Sequence, residues 1–134
     1  MSGAYKGPDY ALMKSLLIVT AAVETATGLA LLGLPSLVVS LLLGGSLDTP
    51  VAPVVARMTG AALLALGVAC WLARNDEKSR AAVGVVTAML LYNIAAVSVL
   101  AFAGIVAGLS GVGLWPAVLL HAALAAWCIA SLLR

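Results

Sequence analysis

Four side chains that can carry charge or form strong hydrogen bonds interrupt otherwise apolar stretches of the chain. They are Glu24, Arg57, Asn93 and His121. Carboxyl and guanidinium groups can form an ion pair or hold a proton or a charged ligand, and amide and imidazole groups can hydrogen bond to either. Ionisable groups in apolar surroundings are costly and usually face a protein interior, where they find partners. We therefore predict that the four form one polar cluster, which is either a ligand site or a structural feature.

Three further polar residues support this cluster. Thr20 and Thr27 lie one turn from Glu24 on the same helical face, and Tyr92 adjoins Asn93 about 100° further round the helix. The chain has one histidine, so a bis-histidine haem site within one chain is not expected. The cysteines, Cys70 and Cys128, lie in apolar segments far from His121. No catalytic residue and no metal ligand is predicted, which favours a non-enzymatic role.

The composition identifies the solvent around these groups. Of 134 residues, 64% are hydrophobic and only 9% are charged, and the mean hydropathy is +1.19. Soluble domains are about half apolar and a quarter charged. A bilayer accommodates this much apolar surface, whereas a water-soluble core of this size does not. The net charge of +2 forms no basic cluster, so nucleic acid is not an expected partner.

Four segments are long enough to cross a bilayer, which requires about twenty apolar residues. They span roughly residues 13–34, 50–73, 79–104 and 114–133. Between the first two lies 35–45, which is apolar but too short to span. It begins with proline and ends with two glycines, which is typical of a short helix. The prediction is an all-α, integral membrane up-down four-helix bundle, a single domain over 1–134, with a short interfacial helix between helices one and two.

The distribution of basic residues predicts the orientation. Six of them lie on the side that holds both termini and the loop 74–80: Lys6, Lys14, Arg74, Lys78, Arg80 and Arg134. The opposite side, formed by 35–49 and 108–116, has no Lys or Arg. Cytoplasmic loops carry the excess of Lys and Arg. Both termini are therefore expected in the cytoplasm, with the protein in the bacterial inner membrane. Tyr5, Tyr10 and Trp115 suit the two interfaces.

A rise of about 1.5 Å per residue converts sequence position into depth and places the four cluster residues within roughly 7 Å of one another. The simplest pairing is an ion pair between Glu24 and Arg57. Side chains lean toward the N-terminus of their own helix, so these two lean apart. Arg57 could instead reach the outer interface, which would leave Glu24 to Asn93 or His121. Both arrangements stay open at this point.

Two families share features with the chain. A four-helix protein of this length with a glutamate in its first helix resembles the small multidrug resistance transporters, although Arg57 adds a positive charge where those receive a cation. The stretches ETATGLALLGLP, SLVVSLLLGG and ARMTGAALLALGVACWLAR resemble the DoxX-like group of small bacterial four-helix membrane proteins. That resemblance covers about the first half of the chain. It implies a link to quinone-linked membrane oxidoreductases, with quinone or another lipophile as ligand, and assigns no catalytic residue.

Three functions follow from these features. The first is a non-enzymatic inner-membrane protein that binds a small lipophilic ligand, quinone or lipid, or a partner subunit through the polar cluster. The second is a proton-coupled transporter that uses Glu24. The third is a structural accessory subunit of a membrane complex. Apart from the bilayer, the expected partners are a lipophilic small molecule, a complex subunit or further copies of the chain.

Overall fold

The computed structural model describes residues 8–76 and 79–134, and this described part is entirely helical with five helices. They are α1 (Pro8–Gly33), α2 (Pro35–Leu43), α3 (Val51–Ala73), α4 (Arg80–Ile105) and α5 (Leu114–Leu133). The four long helices are apolar enough to cross a membrane. Lys6, Lys78 and Tyr5, which were used to predict the orientation, lie outside the described residues.

Proline and glycine set the limits of α2. Leu34, the residue before Pro35, leaves the helical conformation with φ −131° and ψ 54°, as expected because a following proline disfavours helical backbone. Pro35 then starts α2, where its missing N–H is no loss. Gly44 ends the helix in the left-handed conformation, φ 70°, and its N–H donates to the carbonyl of Ser40 at 2.9 Å. The predicted short helix is therefore present.

Hydroxyl groups accept backbone hydrogen bonds at the starts of α4 and α3. The Ser79 hydroxyl accepts a hydrogen bond from the N–H of Ala82 at 3.1 Å and caps α4. At α3 the Thr49 hydroxyl accepts from the N–H of Ala52 at 3.3 Å. Such bonds satisfy amide groups that have no partner within the helix.

Helix α1 packs mainly against α3, and α4 packs mainly against α5. Glycine allows the first of these contacts. A Cβ added to Gly28 would lie 2.7 Å from the carbonyl oxygen of Gly60, and one added to Gly60 would lie 2.8 Å from that of Gly28. Neither helix can carry a side chain at this crossing, so their backbones approach closely, as small residues permit between helices in lipid.

Two groups of buried side chains form the core. The larger group includes Leu16, Leu17, Cys70, Val86 and Cys128. The smaller one, Leu31, Ala56 and Leu63, packs with Val38 and Val39 of α2. Both cysteines are free.

Helix α2 is tied to the connection between α4 and α5, because the N–H of Gly113 donates to the carbonyl of Leu41 at 2.8 Å. Along α1, Glu24 lies between Ala21 of the larger core group and Leu31 of the smaller one.

Candidate functional site: an apolar cavity with a polar wall

A cavity of about 570 Å³ lies among the helices, and all five contribute to its lining. Apolar side chains form most of the wall, and the polar lining residues are Glu24, Thr27, Thr59, Tyr92 and His121. Its volume falls within the range of about 300–1,000 Å³ that is usual for ligand sites. The wall composition, largely apolar with a few polar groups, is also typical of such sites.

Glu24 is the most unusual part of this wall. Its residue is 1% exposed, and its Oε1 atom has no hydrogen-bond partner. Buried polar atoms in folded proteins are nearly always hydrogen-bonded. A carboxyl oxygen that lacks a partner beside a cavity is therefore a point where a ligand or water would be stabilised.

The expected ion pair between Glu24 and Arg57 is not formed in residues 8–76 and 79–134. Arg57 is exposed and does not line the cavity. Its Nε donates to the carbonyl oxygen of Leu32 at 3.2 Å, and Leu32 lies about 12 Å beyond Glu24 along α1. The register of the two helices explains this, because Gly60 of α3 packs against Gly28 and Leu32, so that Arg57 lies beyond this contact and away from Glu24.

Asn93 and His121 do meet. His121 Nδ1 lies 2.8 Å from Asn93 Oδ1, which joins α4 to α5. Asn93 is fully buried, and its Nδ2 donates to the carbonyl oxygen of Met89 at 2.7 Å. The ring of Tyr92 meets the ring of His121 edge-on, with centroids 5.6 Å apart and an interplanar angle of 83°. Asn93 thus stands behind His121, and His121 and Tyr92 line the cavity.

The supporting residues divide. Thr27 lines the cavity with Glu24, whereas Thr20 lies in the core next to it, with a buried hydroxyl that has no partner. Sequence reasoning did not anticipate Thr59 or the leucines of α2, Leu41 and Leu42, as lining residues. The sequence did indicate a packing role for α2. This segment is apolar but too short to span a membrane, so its apolar face must cover another surface. No sequence feature indicated Thr59 as a lining residue, because threonine is only modestly polar. Its neighbour Arg57 does not line the cavity.

The cavity reaches the surface of the helix bundle. Several lining side chains are also exposed, among them Leu41, Thr59, Val99 and Leu120. Thr59 belongs to α3 and Val99 to α4, two helices that contact each other sparsely. We therefore expect the entrance between α3 and α4, where the exposed Val99 side chain makes the rim apolar.

The part of the chain that the structure describes holds no group of three His, Cys, Asp or Glu residues close enough together to bind a metal ion.

No protein-family model, curated protein sequence or solved structure matches the chain significantly. The resemblance to the DoxX-like group therefore stays a prediction, and the geometry of the cavity carries the functional argument.

Proposed function

We propose that this is an integral protein of the bacterial inner membrane whose four long helices cross up and down, with both termini in the cytoplasm. Each long helix has the length and hydropathy of a membrane span. Helix α2 and the connection 106–113 meet at one end through the Gly113–Leu41 hydrogen bond. Neither segment contains Lys or Arg, so the positive-inside rule favours the periplasmic side for that end.

Within this membrane the protein binds a small lipophilic molecule in the cavity and performs no chemistry on it. The observation that carries this proposal is the buried Glu24, which lines an apolar cavity and whose Oε1 has no hydrogen-bond partner. A ligand with an apolar body and a polar end fits both parts of the wall. The apolar rim between α3 and α4 suits entry from the lipid. A quinone or a lipid, the ligand class implied by the DoxX-like resemblance, has this character.

The test is mass spectrometry of small molecules extracted from the purified protein. The variant Ala96→Phe places a ring in the cavity wall, and Ala88→Phe places the same ring on an exposed position of the same helix outside the cavity. We expect wild type and Ala88→Phe to retain the same lipophile in near-equimolar amount and Ala96→Phe to lose it. Equal retention by all three would contradict the proposal. Co-purifying chains with no retained molecule would favour the accessory subunit instead.

One observation favours the transporter as the second candidate. A cation transporter needs an acidic group free of a fixed positive partner, and Glu24 is not paired with Arg57. The positive charge of Arg57, which argued against the small multidrug resistance transporters, lies at the Leu32 carbonyl and outside the cavity lining. Proton-dependent resistance of expressing cells to cationic dyes, lost in Glu24→Gln, would establish transport. A fixed binding protein gives no such resistance.

A further inference from the structure

The hydrogen bonds behind His121 fix which of its ring nitrogens carries a proton. Asn93 Nδ2 lies 2.7 Å from the carbonyl oxygen of Met89. A carbonyl oxygen only accepts, so the amide nitrogen must be the atom that faces it. The reversed amide would place two oxygen atoms in contact. Asn93 Oδ1 is therefore the atom that faces His121, and its orientation follows from the α4 backbone.

The same logic passes to the imidazole. Asn93 Oδ1 only accepts, so His121 Nδ1, 2.8 Å away, carries the hydrogen and donates it. A neutral imidazole with its proton on Nδ1 has a bare lone pair on Nε2. No hydrogen bond to Nε2 occurs in residues 8–76 and 79–134. Because His121 lines the cavity, this lone pair is the acceptor that the α5 wall offers to a ligand.

Glu24 and His121 leave room for a ligand between them. Both line the cavity, yet no ion pair or hydrogen bond joins them in the described part of the chain. A carboxylate oxygen is also an acceptor. The polar wall therefore offers acceptors from α1 and α5, and the hydroxyl groups of Thr27, Thr59 and Tyr92 in the same lining can both donate and accept.

We infer that the cavity selects lipophilic molecules with a hydroxyl group, such as alkyl phenols, hydroquinones or long-chain alcohols, and that the hydroxyl donates to Nε2 of His121. This inference rests on the proposed lipophile-binding function and narrows its ligand class. A molecule of the same shape that carries only acceptors leaves the Nε2 lone pair without a partner. For a quinone couple, the reduced hydroquinone is the preferred form.

The test compares 4-hexylphenol with its methyl ether, 4-hexylanisole, which has nearly the same body but no hydroxyl hydrogen. Affinities are measured for the protein in lipid nanodiscs, with partitioning into empty nanodiscs subtracted. We expect the phenol to bind wild type on the order of tenfold more tightly than the ether, as one additional hydrogen bond in an apolar cavity provides. In His121→Phe, which keeps a ring beside Tyr92, the ratio should fall to about one.

The possible results distinguish failure of the hydroxyl preference from failure of the proposed lipophile-binding function. Equal binding of phenol and ether to wild type overturns the inference and leaves the lipophile site intact. A preference that survives His121→Phe but disappears in Glu24→Gln also overturns it, because Glu24 would then be the acceptor. If neither molecule binds, the proposed function fails together with the inference. The wild-type ratio tests the preference for a hydroxyl group even if a variant folds poorly, and the two variants assign the acceptor.

Discussion

His121 Nδ1 and Asn93 Oδ1, 2.8 Å apart, form a hydrogen bond between the side chains of two long helices. It joins α4 to α5 at the level of the cavity, and the bond from Asn93 to the Met89 carbonyl anchors it to the α4 backbone. The same pair thus has two roles. It holds two helices in register, and it orients the imidazole toward the cavity.

Replacing Asn93 should weaken the bundle measurably. Asn93→Leu leaves the Nδ1–H of His121 without an acceptor, and an unsatisfied buried donor costs about 1–3 kcal/mol. We expect the free energy of unfolding in detergent to fall by this amount. Ser98→Ala is the control, because Ser98 is exposed and bonds only to the Ile94 carbonyl of its own helix. Equal stability of wild type and Asn93→Leu would exclude the structural role.

Glu24 and Arg57 should behave independently. The structure leaves them unpaired, so the losses in Glu24→Gln and Arg57→Gln should add, with a coupling energy within about 0.5 kcal/mol of zero. The measurement is a double-mutant cycle of unfolding free energies. Strong recovery in the double variant would mean that the two charges meet after all, since breaking a buried pair costs about 3–5 kcal/mol.

Alanine substitution should lower the stability at a glycine of the α1–α3 crossing but not at a glycine outside it. Gly60→Ala forces a methyl group against the Gly28 carbonyl, with its Cβ at 2.8 Å. Such overpacking should destabilise the protein by about 1–3 kcal/mol. Gly84→Ala is the matched control, because nothing lies within 4 Å of its added Cβ. It should be neutral or stabilise α4 by up to about 1 kcal/mol. The same loss at both positions would contradict the close approach.

Orientation is tested by cysteine labelling in a Cys70→Ala/Cys128→Ala background. Single cysteines at the exposed positions Ser46 and Ser110 should react with an impermeant thiol reagent added to intact cells whose outer membrane is permeabilised. One at exposed Asn75 should not. Asn75 is chosen rather than Ser79, because Ser79 caps α4 and its replacement would disturb that helix. The reverse labelling pattern would invert the proposed topology.

The helices could be predicted from sequence because hydropathy and the Pro and Gly positions determine them locally. The segment 114–133 corresponds to α5 residue for residue, and α2 lies within 35–45. The start of α1 at Pro8 was missed by five residues, because Asp9 and Tyr10 interrupt the apolar run from which the span was predicted.

The cluster was harder to predict, because depth along a helix does not determine the direction of a side chain. Asn93 and His121 share a level and face each other. Arg57 does not share that level, because Gly67 of α3 packs against Ala21 and Thr25 of α1 whereas Gly60 packs against Gly28 and Leu32, which places Arg57 near the C-terminal end of α1. The cavity itself depends on how α2 folds back against α5, a tertiary contact that no local pattern encodes.

Native mass spectrometry of the intact protein released from membranes tests whether one lipophilic molecule occupies the cavity. We expect wild type and Ala88→Phe each to carry a single non-covalent adduct of one defined mass in 1:1 ratio. Ala96→Phe should carry no adduct. An adduct of unchanged occupancy on Ala96→Phe, or a bare wild-type chain under conditions that preserve lipid adducts on other membrane proteins, would contradict the proposed binding.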